Sequence, residues 1–228
     1  MERTPHSHKV EHTFEYRYAV PMSVELQGSL FTDDEEQFGP LGSTVSRRAL
    51  SNGAWVDVRP GWVGSIDLFD RLVDGVDWRA ERRQMYDRVV DVPRLVRFYS
   101  DSEPWPDSSL NEAKTALDAH YGPELGETFT TAGLCYYRDG SDSVAWHGDN
   151  IGRSATEDTM VAIVSLGATR QLMLRPRGGG TSLKFTLGHG DLIVMGGSCQ
   201  RTWEHAVPKS TRATGPRISV QFRPRGVR

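Results

Sequence analysis

From Phe129 onward the chain breaks into short runs rich in Val, Ile, Leu, Phe and Tyr, most of them bounded by Gly or Pro. Residues 133–138, 160–166, 171–175, 182–187, 191–195 and 218–222 are each too short for a stable helix and read as strands. Gly178-Gly179-Gly180 reads as a hairpin tip. The upstream pattern differs. Ala54 to Arg59 alternates apolar and polar until Pro60-Gly61 breaks it, as in a short strand and turn. Ile66, Leu68, Phe69, Leu72 and Val73 share one helical face, with Gly75 as the stop. A second helix is predicted from Ser109, with Glu112 completing a capping box. Leu110, Ala113, Leu117 and Tyr121 form its buried stripe, and Gly122-Pro123 ends it. Helices first and many short strands afterwards predict an α+β protein built on a β-sandwich or jelly roll.

At 228 residues the chain has the length of one domain with a substantial core. Residues 1–50 are expected to form a partly flexible arm, because they carry His6, His8, His12 and the acidic run Asp33 to Glu36. Residues 51–228 then form the domain. A net charge of −3 gives no global sign of a nucleic-acid binder, although local patches matter more. Seven basic residues after position 200 face Glu204 alone. Two cysteines, no secretory leader and no apolar run of membrane length predict a reduced, cytoplasmic protein. A monomer is expected.

Inside the strand region stands His147-Gly148-Asp149, with His205 58 positions after His147. Two imidazoles and one carboxylate form the facial triad that holds non-haem Fe(II) and leaves positions open for O2 and a co-substrate. His189-Gly190-Asp191 repeats the spacing. It sits between Leu187 and the apolar Leu192 to Met195, however, and only 14 positions separate Asp191 from His205, too few for several intervening strands. Arg217, Ser219 and Arg223 lie on one face of a predicted strand. Two inward arginines are costly unless an anion pairs with them. Their planar forks suit a dicarboxylate such as 2-oxoglutarate. The bland alternative, a solvated basic tail, fits Arg225 and Arg228 better.

These residues resemble the AlkB family of Fe(II)/2-oxoglutarate-dependent dioxygenases, of the bacterial DNA-repair type. The resemblance runs from about Leu134 to Arg223 through Leu134-Cys135-Tyr136-Tyr137-Arg138, Asp142 to Asp149, Val164-Ser165-Leu166-Gly167, His189 to Leu192, Glu204 to Pro208 and Pro216 to Arg223. Val92-Pro93-Arg94-Leu95 with Tyr99 extends it upstream. It implies a double-stranded β-helix (jelly-roll) core over about 129–225, flanking helices, and an N-terminal substrate-binding lid over about 79–105. It implies iron held by His147, Asp149 and His205. Arg217, Ser219 and Tyr137 would take the distal carboxylate of 2-oxoglutarate, and Arg223 the chelating end. Cys135 stands where the family usually has Asn, which removes one polar contact to the co-substrate.

The resemblance also implies a reaction. With Fe(II), 2-oxoglutarate and O2, an N-methyl group is hydroxylated and lost as formaldehyde. The substrates would be bases such as 1-methyladenine and 3-methylcytosine in DNA, single-stranded or with the base flipped out. Tyr86, Arg94, Trp146 and Ile151 are the candidate base contacts, with Arg82, Arg83 and Arg88 as a phosphate-contacting patch. Ile151 occupies a place where many DNA-repairing members carry an acidic residue that reads an exocyclic amine; Arg153 or Asp158 is the alternative for that role. Methylated RNA, a protein side chain or a small molecule are alternative substrates for the same iron chemistry, and a non-catalytic lesion-binding module is a further reading. In the arm, Gln27-Gly28-Ser29-Leu30-Phe31 resembles a sliding-clamp-binding pentapeptide; the plainer reading is that Leu30 and Phe31 tuck the arm onto the domain.

Overall fold

Along residues 217–224 the even-numbered Ile218, Val220 and Phe222 pack into one hydrophobic cluster, together with residues of two helices. The odd-numbered Arg217, Ser219, Gln221 and Arg223 project to the other side, as strand alternation requires. That division organises the whole molecule. The computed structural model describes residues 37–85, 88–212 and 214–227, with the side chains of 83–91 excepted. Its strands are β1 (Ser46–Ala49), β2 (Ala54–Arg59), β3 (Arg79–Met85), β4 (Arg88–Tyr99), β5 (Phe129–Tyr137), β6 (Val144–His147), β7 (Val161–Gly167), β8 (Arg170–Pro176), β9 (Leu183–Leu187), β10 (Asp191–Gly197), β11 (Trp203–Val207) and β12 (Arg217–Pro224). The helices are α1 (Leu68–Gly75), α2 (Ser108–Leu125) and the single turn α3 (Cys199–Thr202).

Antiparallel pairing gives a major sheet in the order β1-β2-β10-β7-β12-β5-β4-β3 and a minor sheet in the order β6-β11-β8-β9. Ala162, Val164 and Leu166 of β7 and Leu192 and Val194 of β10 join the helix-side cluster with Leu68, Leu72, Leu110, Leu117 and Tyr121. Their alternates Val161, Ile163, Ile193 and Met195 pack instead with Leu172, Leu174, Trp203 and Val207 of the minor sheet. The second cluster is therefore the filling between two sheets, as in a jelly roll. Each fully buried side chain of this size contributes about 1.5–3 kcal/mol of transfer free energy, which makes the period-two pattern binding.

The helices depart from the sequence reading in instructive ways. In α1, Leu68 and Leu72 are buried, but Ile66 precedes the helix and is 85% exposed. The N-cap of α2 is Asp107, whose side chain accepts from the Ser109 amide at 2.9 Å, rather than Ser109 with Glu112. The helix also runs through Gly122 and Pro123 to Leu125. It stops where Gly126 adopts φ +77° and bonds back to Gly122, because a left-handed residue ends a helix more decisively than a proline in its last turn. The stripe Leu110, Ala113, Leu117 and Tyr121 is buried as expected.

Of the expected arm, two stretches within residues 37–50 dock on the domain. Phe38 bridges to Val63, and β1 pairs with β2 over its whole length. Arg47 fastens this edge, donating to the buried Asp57 at 2.8 Å and lying over the Trp55 ring. The segment 27–31 lies outside the described residues. Among the described residues no helix is long and apolar enough to cross a membrane.

Candidate metal and co-substrate centre

His147 ends β6 and His205 lies in β11, and the two residues are direct register partners in the minor sheet. A β-bulge between that pair and Val144/Val207 resets the alternation. Asp149 follows two residues after β6. Its amide donates to Gln200 Oε1 at 3.1 Å, and its carbonyl accepts from Ser154 Oγ. Between the two ligands, Gly148 is pressed against α3: a Cβ there would stand 2.5 Å from the Gln200 carbonyl oxygen. Glycine is thus needed for a close backbone approach, which the spacing alone does not reveal.

Donor atoms of His147, Asp149 and His205 lie within 4.8 Å of one another, and the imidazole rings of His147 and His205 are 4.2 Å apart. His147 Nδ1 is paired with the Ala145 carbonyl at 2.8 Å, so its Nε2 is the free donor and faces Asp149 Oδ1 at 3.8 Å. Burial opposes the charged form of Asp149, but the Arg223 guanidinium, with His205 and His147, outweighs it and holds the carboxyl at about 2. Burial, helped by His147, pushes His205 down to about 3. At neutral pH the carboxylate is charged and the His205 imidazole neutral, the forms in which each binds a cation. The donor set fits Fe(II).

The floor of the site is the inner face of β12. Arg223 grips Asp149 Oδ2 through Nε at 2.8 Å and Nη2 at 2.7 Å. Arg217 is 1% exposed, and its Nε donates to Ser165 Oγ at 2.9 Å while its Nη1 has no partner. Its guanidinium lies 5.4 Å from the centre of the buried Tyr137 ring, and burial lowers its pKa. A buried guanidinium with an unsatisfied donor is costly, and an anion beside it removes the cost. A carboxylate of 2-oxoglutarate fits that need. Burial also raises the Tyr137 phenol, so it remains a neutral hydroxyl.

Other candidates fall in different places. Arg94 donates to Cys135 Sγ at 3.4 Å and to the Ser143 carbonyl at 3.3 Å, beside the co-substrate residues. Trp146 lies under the Arg175 guanidinium at 4.2 Å, and Arg175 pairs with Glu204. Ile151 is 69% exposed on the loop beyond Asp149. The alternatives for its role are engaged elsewhere, Arg153 with Glu127 and Asp158 with Arg201. Tyr86 lies outside the described residues, as do the side chains of Arg83 and Arg88. His189 is a strut: its Nδ1 accepts from the Gly167 amide at 3.0 Å and its Nε2 pairs with the Ser65 carbonyl at 3.0 Å. Sequence reasoning overlooked Ser165, Gln200 and Gln221. Ser165, a polar residue in an otherwise apolar run, and Gln221, on the face of Arg217 and Arg223, were visible signals; Gln200 had none.

The family described as the 2OG-Fe(II) oxygenase superfamily matches residues 94–223. The chain is 30% identical over 230 residues to "Alpha-ketoglutarate-dependent dioxygenase alkB homolog 3" of Bos taurus, covering 91% of this chain and 74% of the relative. It is 34% identical over 196 residues to "DNA oxidative demethylase ALKBH2" of Arabidopsis thaliana, covering 70% and 62%. Its fold is similar to the crystal structure of an oxidoreductase of the 2OG-Fe(II) oxygenase family from Burkholderia pseudomallei, with a TM-score of 0.52 at 16% identity over 75% of this chain and 86% of that one.

Proposed function

Because the chain belongs to the AlkB family of Fe(II)/2-oxoglutarate-dependent dioxygenases, we propose that it reverses N-alkylation of nucleobases in DNA by oxidative demethylation. The likeness to DNA oxidative demethylases carries the substrate assignment. Its cofactors are Fe(II), 2-oxoglutarate and O2. In this reading His147, Asp149 and His205 hold the iron, Arg217, Ser219 and Tyr137 receive the distal carboxylate, and Arg223 serves the chelating end beside Asp149. When bound, the iron supplies O2 activation coupled to oxidation of 2-oxoglutarate to succinate and CO2.

The protein's own residues supply geometry and charge. Arg223 neutralises the second oxygen of Asp149, leaving Oδ1 toward His147. Arg217 and Tyr137 are buried side by side and leave one guanidinium donor without a protein partner, which favours a carboxylate over water. The β3–β4 hairpin at the edge of the major sheet is the proposed lid, with the core over about 129–225. Arg94, within that hairpin, ties it to Cys135 and Ser143. Ile151, apolar and exposed, borders the base.

The test is a turnover assay with Fe(II), 2-oxoglutarate and O2 on a 3-methylcytosine oligodeoxynucleotide and its RNA equivalent. Formaldehyde release on DNA by the wild type, absent in His147→Ala, is expected. Turnover on RNA alone, or none on either, overturns the DNA assignment.

A further inference from the structure

Gln221 lies between Ser219 and Arg223 on the inner face of β12. Its Oε1 accepts from Arg223 Nη2 at 3.2 Å, and its Nε2 donates to Ser219 Oγ at 2.9 Å. Cys135 Sγ approaches the same Oε1 at 3.9 Å. The orientation of this amide follows from chemistry. A guanidinium has donors and no acceptor, so the atom facing Arg223 must be the oxygen, and the NH2 group must face Ser219. Ser219 Oγ then accepts from Gln221, and its own O–H is left to donate elsewhere. The opposite strand leaves room for this arrangement. Gly133 is the register partner of Gln221, and a Cβ there would stand 2.8 Å from Arg223 Nη1 and 3.2 Å from Gln221 Oε1.

We propose that Gln221 is a positioning residue for the co-substrate: it transmits hydrogen-bond polarity from Arg223 to Ser219, so that the Ser219 hydroxyl presents a donor to a 2-oxoglutarate carboxylate. The proposal rests on the assignment of Ser219 to the co-substrate made above. It explains why a glutamine stands in the row Arg217, Ser219, Gln221, Arg223, where a shorter residue could not bridge both neighbours. Without Gln221 the serine hydroxyl is free to turn, and part of its contact is lost on average.

The test is calorimetric titration of 2-oxoglutarate into the anaerobic Mn(II)-loaded protein, which needs neither turnover nor a nucleic acid. Gln221→Glu keeps an acceptor for Arg223 but replaces the donor with a second acceptor, so Ser219 must donate to it and turn from the pocket. Ser219→Ala removes the hydroxyl. Each variant alone is expected to weaken 2-oxoglutarate binding about tenfold, the scale of one charge-assisted hydrogen bond. The negative charge that Gln221→Glu adds acts in either background, whereas the polarity effect needs Ser219. The Gln221→Glu penalty should therefore shrink at least about threefold in the Ser219→Ala background. Gln221→Leu, which adds no charge, should weaken binding several-fold with a Mn(II) affinity near that of the wild type. Equal Gln221→Glu penalties in both backgrounds overturn the proposal and leave Ser219 in the site. Ser219→Ala with undiminished 2-oxoglutarate binding removes Ser219 from the co-substrate site, and the proposal with it. Failure to demethylate DNA would leave these binding results standing.

Discussion

His147-Gly148-Asp149 and His189-Gly190-Asp191 are the same motif with opposite fates. In the second, both ring nitrogens of His189 are bonded to backbone, and the Asp191 oxygens accept from the amides of Gly61 at 2.8 Å and Gly188 at 2.7 Å. The His189 imidazole has no lone pair left for a cation, and the backbone amides hold the Asp191 carboxylate in a turn. In the first, His147 keeps one nitrogen free, Asp149 keeps one oxygen facing it, and His205 comes alongside from the next strand. The glycines differ as well. Gly190 has φ +79° and turns the chain tightly against the Val63 carbonyl, whereas Gly148 lets the loop lie close on α3. A ligand motif is therefore one whose donor atoms the fold leaves uncommitted; spacing alone says little.

Breaking the first motif should have the largest effect. His147→Ala or Asp149→Ala is expected to lower turnover by about 10³-fold or more through loss of the metal, measured with saturating 2-oxoglutarate. Next comes Arg217→Met. Losing the one vacant donor should weaken 2-oxoglutarate binding about 10- to 100-fold, from a charged hydrogen bond of about 1.5–3 kcal/mol. The metal-free protein should meanwhile melt no lower than the wild type, since an incompletely paired buried charge is replaced by an apolar chain. Opposite signs in calorimetry and melting separate a ligand-binding arginine from a structural one.

Smaller effects sharpen the contrast between the glycines. Gly148→Ala should weaken Mn(II) binding about tenfold by displacing Asp149. Gly190→Ala should lower the melting temperature and leave Mn(II) affinity unchanged. Acid titration of the metal-free protein probes His205, whose folded value of about 3 lies below the unfolded value of about 6.5. The unfolded chain takes up that proton first, so stability falls as pH drops below about 6.5, with a limiting slope of about 1.4 kcal/mol per pH unit until about pH 3. Asp149 adds a second loss as pH falls from about 3.9 towards its folded value of about 2. His205→Asn should flatten the decline between about pH 6 and 5 in a series of melting curves. Smallest of all is His189→Ala, expected to cost about 1–3 kcal/mol of stability from its two hydrogen bonds, with metal binding intact.

Much of the fold was legible because strand alternation is a strong constraint. The runs at 160–166, 191–195 and 218–222 correspond closely to β7, β10 and β12, and Arg217, Ser219 and Arg223 do share a face. The end of α2 was misread because Pro123 stands near a helix end that Gly126 sets. The strand β1 has no signal in the sequence because all four of its residues are exposed, so no buried alternation announces it. In the site, residue types revealed the metal ligands and the anion-binding arginines. Gln200 and the need for glycine at 148 arise from the close approach of α3, a contact between residues 51 positions apart that no local pattern encodes.

The most direct measurement is anaerobic Mn(II) titration of the wild type, Asp149→Ala and Asp191→Ala, followed by calorimetry. The account predicts one bound ion in the wild type and in Asp191→Ala, and no specific binding in Asp149→Ala. A folded Asp149→Ala protein that binds Mn(II) like the wild type, or an Asp191→Ala protein that is folded and has lost the ion, would contradict it.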